Sequence, residues 1–315
     1  MKENLVLLLL LSLFCSVSLR AQEDDQLRKD TAWKFNGVTS LNFSQVYLKN
    51  WAAGGEQSFA GNALVNAGAY YKSGQVSWKN DLILGFGLVK SGEEDYRKSE
   101  DKIDFTSKYG IQAFGENFYY TALVNFKSQF APGYNYPDDS TIISDFLAPG
   151  YGLISLGLDY QKSKDFSIYF SPVTAKVTIV KNQKLADAGA YGVEPATYDE
   201  MGRKIKDGEN FFFEMGGYLK VSYKKELMEN VLFETKLELF SSYTEEPTHV
   251  DVLWDNMLAF KVNKYISANI TTRLIYDHDI KIGVDKNDDG VIDSKGPRTQ
   301  FMETFNLGIQ YTFAK

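Results

Sequence analysis

The stretch from Ile266 to Phe313 constrains the fold more than any other. Ile266, Ala268, Ile270, Thr272, Leu274 and Tyr276 take every second position, with Ser267, Asn269, Thr271, Arg273 and Asp277 between them. After an acidic loop the rhythm returns. Phe301, Phe305, Leu307, Ile309, Tyr311 and Phe313 alternate with Met302, Thr304, Asn306, Gly308, Gln310 and Thr312. Successive side chains of an extended strand point to opposite faces, so each run presents one apolar and one polar face. Both runs are longer than a soluble strand needs. A membrane barrel uses such strands, with the apolar face toward acyl chains and the polar face toward an enclosed lumen.

Composition agrees with that geometry. Aromatic residues make up 15% of the chain, yet its mean hydropathy is only −0.29. A helical membrane protein would be far more apolar, whereas a barrel reads as polar because half of each strand faces water. The formal net charge of −7 gives no case for nucleic-acid binding. At the N-terminus, Lys2 precedes an apolar run from Leu5 to Phe14, about ten residues long and typical of a signal peptide. Cleavage is expected after Ala21. The single cysteine, Cys15, would leave with it, so the mature chain is expected to carry no disulfide. The organisation read from sequence is a signal peptide at 1–21, a charged, flexible periplasmic segment at 22–36 and a barrel domain at 37–315.

The same alternation runs through the rest of the chain. It predicts strands at Gly37–Leu48, Phe59–Lys72, Val76–Lys90 and Phe166–Ile179, with others around Ile103–Gln112, Tyr120–Lys127, Ile154–Tyr160, Phe211–Tyr223, Val231–Leu239 and Val252–Lys261. Pro172 cannot donate to a ladder, and the apolar register changes there, so a bulge is expected near Ser171-Pro172. The predicted fold class is all-β: a transmembrane antiparallel up-and-down barrel of about twelve strands. Links after even strands read as short. Those after odd strands read as long and polar, among them SGEEDYRKSED at 91–101. This asymmetry puts short turns and both termini in the periplasm, and the protein in a bacterial outer membrane.

The polar face carries charges of both signs in balance. The lumen-facing acids are Asp81, Asp104, Asp159, Glu214, Glu234, Glu238, Asp255 and Asp277. The bases are Lys79, Lys108, Lys127, Lys176, Lys220, Lys236, Lys261 and Arg273. An ion-selective pore would show an imbalance. Balance instead favours ion pairs that fill a narrow lumen, so a barrel closed by its own side chains and a narrow wet pore both stand.

The sharpest local motif is DKNDDGVID. Asp285, Asn287, Asp289, the Val291 carbonyl and Asp293 occupy oxygen-ligand positions of a calcium-type loop, with Gly290 at the tight reversal. Gly296 stands where an EF-hand has its bidentate Glu. A structural Ca2+ held at about 10⁻⁴–10⁻³ M and a plain surface turn both fit. No other cofactor is expected.

Three function classes follow. The first is a narrow channel or binding barrel for small solutes. The second is a calcium-dependent outer-membrane lipid hydrolase, which needs a nucleophile beside His249 or His278; neither carries a Ser motif nearby. The third is an assembly barrel that holds an envelope protein through loops bearing Tyr134, Tyr136, Tyr151, Tyr191 and Tyr198. The first is preferred, with no catalysis. Outer-membrane lipids and the barrel-assembly machinery are the expected partners, besides a small solute or envelope protein.

Several strings occur together in order: LNFSQVYLKNWAAGGEQS, NFKSQFAPGYNYP, SDFLAPGY, SPVTAKVTIV, LADAGAYGVEPA, NKYISANI and DKNDDGVIDSKGPRTQF. With them the chain resembles a family of outer-membrane barrel proteins of Bacteroidetes-type bacteria that carries the unknown-function label DUF3078. The resemblance implies an outer-membrane β-barrel and brings no activity, substrate or catalytic residue. The chain ends on Phe313-Ala314-Lys315 rather than on an aromatic residue, which displaces the usual assembly signal.

Overall fold

Residues 33–48, 56–163, 165–244, 247–284 and 293–314 are described by a computed structural model of the chain. Residues 1–21, read from sequence as a signal peptide, the rest of the segment before Trp33, and Asp285, Asn287, Asp289 and Val291 of the acidic motif lie outside these residues. Twelve antiparallel strands close into one barrel. They are β1 Trp33–Val46, β2 Ser58–Ser73, β3 Val76–Ser91, β4 Arg97–Gln112, β5 Phe118–Ser128, β6 Gly150–Ser163, β7 Phe166–Ile179, β8 Phe211–Met228, β9 Val231–Ser242, β10 Asp251–Lys261, β11 Ile266–Tyr276 and β12 Gln300–Ala314. Each pairs with its chain neighbour, and β12 returns to β1 from Asn36↔Ala314 to Asn42↔Gly308. Closure satisfies both edges of the sheet, the requirement for a sheet in lipid.

The apolar sets lie on one outer wall. Phe43, Tyr120, Ile154, Phe170, Phe213, Phe301 and Phe305 are all more than half exposed there. At Pro172 the β7 register shifts against both neighbours, between Leu156 and Leu158 on β6 and between Gly216 and Tyr218 on β8. The shift keeps Phe170 and Val173 on the same outer wall.

Two strands start inside segments that read as linker or loop from sequence. β1 starts at Trp33, where the ring stacks on Phe35 and meets Tyr71 and Trp78. Cross-strand aromatic contacts recruit a stretch that reads as charged linker. β4 starts at Arg97, inside the segment read as loop. The Asp101 carboxylate there accepts from Lys98 and from the backbone N–H groups of Phe130 and Ala131, so its charge is spent on ordering the next link. The links on one side are 74–75, 113–117, 164–165, 229–230 and 262–265, against 47–57, 92–96, 129–149, 180–210, 243–250 and 277–299 on the other. The asymmetry holds except at 92–96, which is as short as the turn after β4.

The long links carry structure of their own. Helix α1 (Gln183–Asp187) is capped by Asn182 Oδ1, which accepts from Lys184 N–H. Two-stranded pairs form at Gly133–Tyr134 with Ile142–Ser144, at Thr197–Tyr198 with Lys204–Lys206, and at Lys281–Val284 with Ser294–Pro297.

Candidate functional site

The barrel interior is the candidate site. Lys127 on β5 and Glu238 on β9 meet at 2.7 Å, although three strands separate them in the wall. Their side chains therefore cross the lumen as a chord. The other oxygen of Glu238 receives Lys220 from β8 at 2.8 Å. A wider span joins β4 to β10, where Lys102 lies 4.0 Å from Asp255, which accepts from Arg273 Nε and Nη2 at 2.6 and 2.8 Å. Lys102 also lies 3.6 Å from Asp104.

The remaining predicted charges sort around these struts. Lys108 pairs with fully buried Asp159 at 2.8 Å. Lys79 donates to Gln161, which in turn donates to Asp159. Asp81 accepts from Tyr70, and Asp104 from Asn125. Glu234 holds Lys236 at 2.6 Å and Lys224 at 4.0 Å. Lys176 bridges Glu214 and Asp251. Lys261 ends β10, exposed. Asp277 lies just past β11, accepting from the Asp279 N–H.

Lys102 and Asp251 were not in the predicted set. Both keep the alternation of their strands, Lys102 with Asp104 and Asp251 with Asp255, so the signal existed at strand ends that read as loop. A neutral ladder was missed too. Asn42 donates to Asn62 at 2.6 Å, Asn62 to Asn306 at 2.8 Å and Asn306 to Asn269 at 3.1 Å, spanning β2, β1, β12 and β11. Without charge these amides did not stand out.

The two sides of the lumen are filled differently. From β5 to β9, Leu123, Tyr169, Tyr218 and Phe240 form a buried cluster inside the barrel. Lys108 sits over the Tyr169 ring and Lys176 over Phe240, at 5.1 and 4.8 Å. From β10 to β12 the inward side chains are more open. Met302 is 47% exposed, and the Asp255 and Arg273 side chains are 30% and 25% exposed. The interior is therefore packed on one side, while on the other Asp255 and Arg273 keep partial exposure and Asn306 of the asparagine ladder is buried.

The long links gather over the packed side. Ala148, Val180, Leu185, Ala186 and Val193 form a core of their own, drawn from 129–149 and 180–210, with Tyr191 and Phe212 against it. Tyr191 donates to the Ile143 carbonyl at 2.7 Å, and burial pushes its phenol up to about 12. Burial also raises Asp277 and Asp279, with Lys176 pulling the other way. His249 and His278, read separately from sequence, stack with ring centroids 3.7 Å apart. Of the acidic motif, Asp293 is described, just before the strand Ser294–Pro297 that pairs with Lys281–Val284. Among the described residues no cluster of His, Cys, Asp and Glu is arranged to hold a metal ion.

Residues 43–134 match the family described as Protein of unknown function (DUF3078). The DUF3078 segment carries Lys102, Lys108 and Lys127 but not their partners Asp255, Asp159 and Glu238. No curated protein matches the chain. Among solved structures, the translocator domain of the autotransporter NalP from Neisseria meningitidis is 10% identical, covering 96% of each chain at a TM-score of 0.32. The NanC porin is 8% identical, covering 88% of this chain and all (100%) of that one at 0.34. OmpT, an outer membrane protein of Vibrio cholerae, is 10% identical, covering 91% and 100% at 0.31.

Proposed function

We infer that the chain is a non-catalytic outer-membrane barrel, exported by residues 1–21, with both termini in the periplasm and a lumen that binds or passes small polar solutes. One observation carries the reading: the Lys127–Glu238 strut crosses the interior while Asp255 and Arg273, on the far side, stay partly exposed. A general pore would keep its centre clear. Here the solute path is reduced to that side, where Asp255 and Arg273 offer an acceptor and donors beside neutral amides. Acyl chains would meet the apolar wall, and the strand signal would be read by the barrel-assembly machinery.

The test is conductance of the refolded protein in planar bilayers. Wild type should open only to a small conductance. Lys127→Ala removes the strut and leaves Glu238 paired with Lys220, so conductance should rise severalfold. A wild-type opening as large as that of a general porin, or no change in the variant, would sink the reading.

The acidic motif supports a structural Ca2+ in the last long link. Binding at about 1 mM implies about 1.4 kcal/mol of stabilisation at about 10 mM calcium. The melting temperature of wild type should therefore rise by a few degrees, and that of Asp289→Ala should not. An equal rise in both would remove calcium from the account.

A further inference from the structure

The outer wall carries one polar row that its lipid-facing position does not explain. Thr235 on β9 registers with Asn256 on β10, Asn256 with Thr272 on β11, and Thr272 with Glu303 on β12. All four face outward. The flanking rows are apolar: Trp254, Leu274 and Phe301 on one side, Leu258, Ile270 and Phe305 on the other. Glu303 is the fourth residue of β12, close to the strand's start. Asn256 and Thr272 lie further in, where a polar group has no water to pair with and marks an interaction site.

The hydrogen bonds of this pair are half spent. Asn256 Nδ2 donates to Thr272 Oγ1 at 3.3 Å. That leaves Asn256 Oδ1 as an acceptor and the Thr272 hydroxyl hydrogen as a donor, side by side at the centre of the row. A patch with one acceptor and one donor next to each other is complementary to itself under a twofold rotation. Across such an axis, Thr272 of each copy donates to Asn256 Oδ1 of the other, and both demands are met at once. The row runs across the strands, which tilt in the wall, so two copies related about the membrane normal cross at its centre. The crossing falls on Asn256 and Thr272, while Trp254 and Leu274, with Leu258 and Ile270, pack above and below.

We propose that the β9–β12 wall is the interface of a homodimer in the membrane, centred on reciprocal Asn256–Thr272 hydrogen bonds between two copies of this chain. The proposal rests on the outer-membrane reading. Its test is the oligomeric state of the full mature barrel in phosphatidylcholine vesicles, counted by single-molecule photobleaching over a series of protein-to-lipid ratios. Wild type should pass from monomer to dimer within that series. Asn256→Leu with Thr272→Val should weaken association on the order of tenfold, since such bonds contribute about 0.6 kcal/mol each in membranes. Thr272→Ser keeps the donor and should dimerise like wild type. Asn80→Leu changes an outward polar residue on another strand and should also leave the dimer intact. A wild type that floats with the vesicles but stays monomeric, or a double variant that dimerises like wild type, overturns this proposal alone. A protein that does not float with the vesicles overturns the membrane reading and the dimer together.

Discussion

Glu238→Ala should be the most damaging charge removal inside the barrel, lowering stability by about 3–5 kcal/mol. The reason is not the strength of one ion pair. Glu238 divides its two oxygens between Lys127 at 2.7 Å and Lys220 at 2.8 Å, and these three side chains are 15%, 22% and 13% exposed. Removing the carboxylate leaves two ammonium groups facing each other with little water between them. Lys127→Ala removes the same strut but leaves Glu238 with one cation, so its cost should be well under half as large. Glu238→Gln keeps one acceptor oxygen for one of the two lysines, without the charge, and should fall between. By contrast Arg203, 74% exposed against Asp199 in the 180–210 link, should be replaceable by Ala within about 0.5 kcal/mol. Denaturant midpoints of the refolded barrel in detergent, followed by the gel-mobility difference between folded and unfolded forms, measure all four. If Glu238→Ala proves no worse than Lys127→Ala, the shared carboxylate is not what holds the interior.

The difference between those two lysine partners also marks what the sequence could and could not convey. A period of two is a local property, and it sufficed to count twelve strands and to find the bulge at Pro172, because a missing N–H acts on the adjacent ladder. It misjudged β1 and β4 at their starts. Trp33 and Arg97 belong to strands through contacts with Tyr71 and Trp78 and with Tyr136 of the 129–149 link, none of them close in sequence. For the site, alternation assigns a charge to a face and says nothing of what it meets there. Lys127 and Glu238 lie on strands that never touch, so their pairing depends on the cross-section of the closed ring. The buried cluster of Leu123, Tyr169, Tyr218 and Phe240 was hidden for a related reason. Aromatic and aliphatic residues on the polar parity look like exceptions to a pattern, although they are what fills one side of the lumen. The asparagine ladder shows the same limit without any charge, since four amides on four strands become one chain of hydrogen bonds only after β12 has found β1.

At that last joint a single methyl group should do large harm. β1 pairs with β2 along its whole length, from Trp33↔Tyr71 to Val46↔Ser58, but with β12 only from Asn36↔Ala314 to Asn42↔Gly308. The closing seam is the shorter one, and Gly308 sits at its inner end. A Cβ placed there would lie 2.2 Å from the Leu41 carbonyl oxygen and 2.5 Å from Asn42 Oδ1. The asparagine side chain can turn away at the cost of the ladder. The carbonyl is backbone and can retreat only if β1 moves off β12. Gly308→Ala should therefore cost about 3 kcal/mol or more, at the upper end for overpacking, and should lower the yield of closed barrel on refolding. Gly61→Ala on β2 is the matched control, because the nearest atom to its Cβ is 3.6 Å away. There the lost backbone freedom of glycine should make the change neutral, or stabilising by about 0.5 kcal/mol. Refolding yield and denaturant midpoint of the two variants decide the matter: equal behaviour would mean that β1 and β12 do not approach as closely as the ladder requires. A barrel opened at this seam would present two unpaired edges to hydrocarbon, which no other strand among the described residues pairs with.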